Sequence, residues 1–468
     1  MRIQNSQVRG VLLGCVTLGA CLVGTRPAVA EVTLMEKDGW TFFTDGRVNV
    51  FGSVGFGDGF PKPSVNTNVD ANGLAPQHLL AGAGQDFTEG FYSAAQQNAN
   101  GKYLATRVRS GFLGSILAFG TKRQITETTT VRAYISLWGT AESYARDRTQ
   151  DLGKSTSKGF DVREGYLSFD GPWGTFGAGH ISGIFGGMST EIDYLYAHAF
   201  ALGLPCLDVY YPTCGHVGTG AISPGFAPGF VYTTPDVDGL RLRVGLYDPV
   251  RLLGAWNRAP IPRPEGALMY ERKLSPEVWF KLQVEGLYQP LYKEGSDQST
   301  SVWGVAAGGR LEVGPVRLGL SAFRGRGLGV YVALQNSGAT FSGPDTGEQL
   351  RSFTGLYAQT AFVSGPWQVS FGLGRLIDDQ LAVDKVDFAS SNLKSQTGGS
   401  IVLNYALSSH LVLDVDYFLF QTDWWGAPNA RYNGADMNGT PIVMLLPGVV
   451  TPEKQLISFI NIGATFHW

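Results

Sequence analysis

The side chains with the most chemical potential crowd into one stretch. Between Gly183 and Phe226 the chain carries carboxylates at Glu191, Asp193 and Asp208, thiols at Cys206 and Cys214, imidazoles at His198 and His216, and tyrosines at Tyr194, Tyr196, Tyr210 and Tyr211. Seven residues separate the two thiols, and in an exported chain a disulfide closing a small loop is the expected pairing. The same cysteines with His198 and His216 also have the ligand chemistry of a metal site. An oxidising compartment and the lack of a paired-cysteine motif rank that reading second, so no metal or other cofactor is expected. Other candidates fail on spacing. Gly153-Lys154-Ser155 imitates the end of a phosphate-binding loop, but Arg148 stands where its first glycine is needed. Gly325-Arg326-Gly327-Leu328-Gly329 follows a strand pattern without opening a helix. No Gly-x-Ser-x-Gly occurs and the six histidines form no triad by spacing, so enzymatic activity is not expected.

Irregular stretches as long as 183–226 are uncommon inside a compact protein and are usually functional. What positions this one is a pair of short alternating segments, Asp161 to Asp170 and Thr175 to His180, joined by Gly171-Pro172-Trp173. The same period of two runs through almost every segment from Trp40 onward, the mark of strands. Val48, Val50, Gly52, Val54 and Phe56 share one face, against Asp45, Arg47, Asn49 and Ser53 on the other. A second strand from Tyr103 sets Arg107 and Arg109 against Leu104, Val108 and Phe112. A third, Thr128 to Tyr144, sets Arg132 and Tyr134 against Val131, Ile135 and Leu137. Charge on one face and hydrocarbon on the other imply water on one side of the sheet and lipid on the other. Turns at Pro235 to Gly239, Leu274 to Glu277, Gly314-Pro315, Gly365-Pro366 and Ser408-Ser409 alternate with longer loops, and sixteen strands result. The expected fold is therefore all-β, a transmembrane antiparallel β-barrel of sixteen strands, with 183–226 folded into its lumen to set the bore.

Composition agrees. Residues 1–30 read as a cleaved signal peptide: Arg2 and Arg9, an apolar core from Val11 to Gly24, and Ala28-Val29-Ala30 at the cleavage site. Cys21 ends a looser lipoprotein-like box, but Glu31 is the expected first residue of the mature barrel domain, 31–468. No later run is long and apolar enough for a spanning helix. Glycine occurs 63 times, charged residues make up 16%, and mean hydropathy is zero. An apolar outside and a wet inside give such values. With 36 basic side chains, three of them in the signal, against 39 acidic ones, no nucleic-acid partner is expected. Short turns alternating with long loops match the periplasmic and extracellular ends of an outer-membrane barrel, with lipid and lipopolysaccharide as neighbours. Trp40, Phe43, Trp173, Trp279, Trp367 and Trp424-Trp425 are the expected interfacial aromatics.

Several motifs resemble the Gram-negative general porins. Arg163-Glu164-Gly165-Tyr166-Leu167-Ser168-Phe169 followed by Gly174-Thr175-Phe176-Gly177-Ala178-Gly179-His180 is similar to the strand pair before that family's constriction loop, with histidine where arginine is usual. Phe230-Val231-Tyr232-Thr233-Thr234-Pro235 with Gly239-Leu240 resembles the return strand, and Arg109-Ser110-Gly111-Phe112-Leu113-Gly114 the second-strand signature. Phe466-His467-Trp468 resembles the terminal aromatic assembly signal, with tryptophan in place of phenylalanine.

The resemblance implies a homotrimer that passes small hydrophilic solutes and ions by diffusion. It also implies a third loop whose carboxylates, here Glu191, Asp193 and Asp208, face a basic wall, here Arg47, Arg107, Arg109, Arg132 and Arg163. Strand parity independently puts the first four arginines on the wet face; Arg163 shares parity with Leu167 and Phe169. By parity the wet face also holds Arg241, Arg243, Lys281, Arg310 and Arg317, against Asp45, Glu285, Glu312, Asp414 and Asp416, an excess that suggests mild anion preference. Two alternatives have different signatures. A substrate-specific channel would line its path with the loop tyrosines, and a surface adhesin or receptor would rely on the loops Gly57 to Gly101 and Gly426 to Lys454.

Overall fold

The computed structural model describes residues 31–58, 102–111, 114–139, 161–192, 194, 216–250, 256–329, 350–380, 393–424, 430–435, 441–445 and 454–468. Alternation of β-branched, aromatic and polar residues makes almost all of them strand. A hairpin of β1 (Val32–Lys37) and β2 (Trp40–Asp58) leads to β3 (Lys102–Arg109), β4 (Ser115–Gln124), β5 (Thr130–Gly139), β6 (Asp161–Gly171) and β7 (Gly174–Ser182). A five-residue helix, α1 (Gly187–Glu191), precedes β8 (Phe226–Thr233), β9 (Leu240–Tyr247), β10 (Arg263–Ser275), β11 (Val278–Tyr292), β12 (Ser299–Val313) and β13 (Val316–Arg326). Then come β14 (Ser352–Ser364), β15 (Trp367–Asp378), β16 (Leu393–Ala406), β17 (Leu411–Trp424), a separate hairpin of β18 (Ala430–Ala435) and β19 (Pro441–Leu445), and β20 (Lys454–His467).

Every ladder is antiparallel, and β2 closes the ring by pairing with β20 from Arg47↔His467 to Gly57↔Ile457. Closure removes the free edges that lipid could not hydrogen-bond. β3 lies against Phe51 to Asp58 and β4 against Trp40 to Arg47, so the two share one place beside β2. β1 continues the line of β20: Trp468 exchanges backbone hydrogen bonds with Gly46 at 3.1 and 3.2 Å, and Val32 takes up the pairing at Thr44. Sixteen places surround the lumen.

One end of the cylinder carries tight turns. Gly314 and Gly365 adopt φ of +53° and +57°, a left-handed conformation that favours glycine, and the proline after each has no amide left to pair. The other end carries the long connections, including 183–225. Outward positions such as Val48, Leu242, Leu320 and Ile462 are large, apolar and exposed, whereas inward ones such as Asn49, Glu285, Arg317 and Asn461 are polar and buried. That distribution inverts a soluble protein and fits a lipid-facing cylinder.

Several expectations need correction. The strand pattern begins at β1, before Trp40. The second strand ends at Arg109, with Ser110, Gly111 and Gly114 outside any strand, while Phe112 lies outside the described residues. There the inward Asn49 side chain accepts from Gly111 N at 2.7 Å and donates to Gly114 O at 2.9 Å, satisfying backbone at both glycines. The third strand spans Thr130–Gly139 among the described residues. Phe43 and Trp279 are not interfacial. Phe43 is buried with Ala118 and Tyr134, and the Trp279 indole donates to Glu271 while Arg310 lies over its ring. Trp173 and Trp367 are exposed, as interfacial residues would be.

Candidate functional site

The described parts of the 183–226 segment lie on the buried polar face of β10 to β16. Two glutamates from that wall hold its root. Glu265 accepts hydrogen bonds from Ile184 N at 2.6 Å and Phe185 N at 2.9 Å, while Arg263 Nε donates to its second oxygen at 2.8 Å. Glu285 accepts from Gly186 N at 2.7 Å and Met188 N at 2.6 Å, with Gln283 donating as well. Hydrogen bonds to a charged acceptor each contribute about 1.5 to 3 kcal/mol net. Gly183 N bonds Gly225 O at 2.6 Å and ties the two arms of the segment together.

Past α1 the segment meets a row of charge. Glu191 pairs with Lys281, and Arg310 donates to Glu191 O at 3.2 Å and to the Tyr194 hydroxyl at 2.8 Å. The Arg310 guanidinium lies 4.3 Å from the centre of the Tyr194 ring and bonds Glu312 at 2.6 Å. Gln359 accepts from Tyr194 N at 2.7 Å and donates to Ile192 O. Burial pushes the Tyr194 phenol up to about 12, so it stays protonated.

The returning arm is held by a ring and by glycines. His216 is buried between Tyr357 and Phe418, at 4.7 and 5.0 Å between ring centres, with Nε2 2.7 Å from Ser400 Oγ. Burial lowers its pKa to about 3, so the ring is neutral. Thr219 and Gly220 then lie directly on wall backbone. A Cβ on Gly374 would fall 2.0 Å from Thr219 O, one on Gly355 2.6 Å from Gly220 O, and one on Gly398 2.7 Å from Thr219 Oγ1. Gly304 and Gly308 similarly make room for Phe185 and Met188. These inward glycines, adjacent across β14, β15 and β16, form a track for the segment.

Across the ring, β2, β5 and β6 carry Arg47, Arg132 and Arg163, all buried. Arg132 pairs with Glu31, which also bonds Lys122 Nζ at 2.6 Å, and lies 4.6 Å from the centre of the Phe43 ring. Arg163 faces inward despite its parity because β6 bulges. The register steps from Ser136↔Glu164 to Leu137↔Val162, and the guanidinium lies over Trp138 at 4.9 Å and Phe226 at 5.6 Å. The backbones of Arg107 and Arg109 pair with Ser53 and Phe51; their side chains lie outside the described residues. So do Asp193, Asp208, Cys206, Cys214, His198, Tyr196, Tyr210 and Tyr211. Among the expected acids, Glu191 is the one described, and its partner is Lys281 on the near wall.

Sequence reading missed Glu265, Arg263 and Glu164, and it missed the glycine track. The glycines do carry a signal, recurring at inward positions of consecutive strands. Glu265 carries none, since its partners are the backbone amides of Ile184 and Phe185, and Glu164, which accepts from the Ser136 hydroxyl at 2.9 Å, sits at a bulge that alternation hides.

No protein-family model matches the chain, and comparison with curated proteins finds no match. Solved structures do match. The outer membrane channel DcaP of Acinetobacter baumannii aligns with a TM-score of 0.58 at 13% identity, over 93% of this chain and 100% of that one. An anion-selective porin from Comamonas acidovorans aligns at 0.54 and 11%, covering 92% and 100%. OmpF of Salmonella typhi, solved with daunomycin, aligns at 0.50 and 10%, covering 94% and 100%. With its closed ring of sixteen antiparallel strands, apolar outside and charged within, the chain has the fold of the Gram-negative outer-membrane porins.

Proposed function

We propose that the chain is an outer-membrane channel for passive diffusion of small hydrophilic solutes and ions, with 183–226 as its constriction. The observation that carries this reading is the docking of Ile184 to Tyr194 on the buried polar wall through Glu265, Glu285, Lys281, Arg310 and Gln359. A segment held there stands between that wall and the arginines of β2, β5 and β6. Charges facing each other across a narrow wet gap order water and select solutes by charge. Residues 1–30 serve as the export signal, Asp193 and Asp208 add to the loop's charge, Cys206 and Cys214 brace it as a disulfide, and Arg107 and Arg109 complete the basic wall. The assembly is a trimer, and the channel needs no catalysis.

A mild anion preference follows from the inward basic side chains. Many of the inward carboxylates are engaged: Glu265 and Glu285 with backbone amides, Glu191 and Glu312 with Lys281 and Arg310. The test is single-channel recording of the refolded protein in planar bilayers, with reversal potentials for the wild type, Glu191→Gln and Lys281→Met. Conductance steps in threes, chloride favoured over potassium, and a shift toward cations in Lys281→Met are expected. A folded barrel without conductance would overturn the channel reading, and equal permeability would overturn the anion preference.

A further inference from the structure

On the inner face of β17, β20 and β2, one cross-strand rank is built from oxygen. Asp416 pairs with Asn461, Asn461 with Ser53, and Ser53 with Arg107 of β3, whose side chain lies outside the described residues. Asp416, Asn461 and Ser53 are 2%, 0% and 0% exposed. Asn461 Nδ2 donates to Asp416 Oδ1 at 2.7 Å, which leaves Asp416 Oδ2, Asn461 Oδ1 and Ser53 Oγ buried with no hydrogen-bond partner. Asp414, the next inward residue of β17, accepts from the Asn404 amide. Thr465 Oγ1, two inward positions along β20 from Asn461, is likewise buried without a partner.

Rings enclose this rank. Phe418 pairs with Phe459 one inward position toward the long loops, and on the other side Phe51 lies so close over Gly463 that a Cβ there would fall 2.2 Å from it. No lysine, arginine or histidine among the described residues forms an ion pair with Asp416. A buried carboxylate beside aromatic rings with only a neutral amide as donor is costly. Bare carboxylate, amide and hydroxyl oxygens, with no nitrogen or sulfur ligand among them, are the donor set of hard divalent cations.

We propose that Asp416, Asn461 and Ser53 form a binding site for one calcium-class cation on the channel wall. The ion supplies the charge that Asp416 lacks and completes its shell with water. It also adds positive charge to the inner face, so divalent ions would reinforce anion preference.

The test is calcium titration of the refolded full chain in neutral detergent, followed by calorimetry, with folding checked separately by heat-dependent electrophoretic mobility. One saturable site per chain is expected in the wild type, with magnesium binding more weakly because it dehydrates reluctantly. Affinity should fall about tenfold or more in Asp416→Asn, which removes the ligand charge. If that variant does not fold, Ser53→Ala combined with Asn461→Ala removes two neutral oxygens and should weaken binding too. No saturable site in the wild type, the result expected if a proton sits on Asp416, overturns the proposal. Full affinity retained in a folded variant overturns it as well. Neither readout depends on conductance.

Discussion

Glu285 holds two backbone amides with one carboxylate, deep in the wall and far along the chain from the residues it fixes. Truncating it leaves both amides buried and unpaired, at a cost of roughly 1 to 3 kcal/mol each. Glu285→Ala is therefore expected to keep the barrel folded but loosen the segment's root, measurable as faster protease cleavage within 183–226 and noisier single-channel current. His216 adds a pH dependence with a definite sign. Its pKa falls from 6.5 to about 3 when docked, so between those values the undocked ring binds a proton that the docked ring does not. The contribution of the neutral ring to docking is fully present above pH 6.5 and weakens by up to about 1.4 kcal/mol for each unit of acidification within that window. Protease cleavage of the segment should rise between pH 7 and 5 in the wild type, with a flatter profile in His216→Gln. At this scale, inward charges such as Arg132, Lys281 and Arg310 were legible from alternation alone. The pairing of Glu191 with Lys281 was not, because no spacing rule links a loop residue to a strand ninety positions away.

The strands explain why one arginine defied its parity. Alternation assumes one residue per pleat, and the bulge at Arg163 inserts an extra one, turning both Arg163 and Glu164 inward. The end of β3 at Arg109 escaped for a similar reason: the groups that take up Gly111 N and Gly114 O belong to the Asn49 side chain on a neighbouring strand. The turn dipeptides, by contrast, are local chemistry, and Gly314-Pro315 and Gly365-Pro366 were plain. The glycine track belongs to this scale too. Gly374→Val should lift Thr219 off the wall while leaving the ladder intact, because valine suits a strand. Gly399→Val, on the lipid side of the adjacent strand, meets its nearest neighbours at 3.8 Å and serves as the control. Flickering, larger conductance is expected in the first variant and wild-type behaviour in the second.

For the whole molecule, the inverted distribution of polarity is what alternation made legible. It also sets the cost of error. Leu320, 61% exposed in the middle of β13, meets lipid, and arginine there should cost about 2 to 4 kcal/mol. Leu320→Arg is expected to lower the temperature at which heat-dependent electrophoretic mobility changes, and Leu320→Phe to leave it nearly unchanged. Closure has a further consequence. Since Val32 takes up the β2 edge two residues from where Trp468 leaves it, a short linker could join residues 468 and 31, and the chain could be reopened at Gly365-Pro366. Such a circular permutant would retain every ladder while moving the terminal tryptophan into mid-chain. If it refolds in detergent yet fails to reach the membrane of a living cell, Trp468 acts as an address read by the assembly machinery; if it does both, the ring of Trp468 matters only for filling the space beside Gly46.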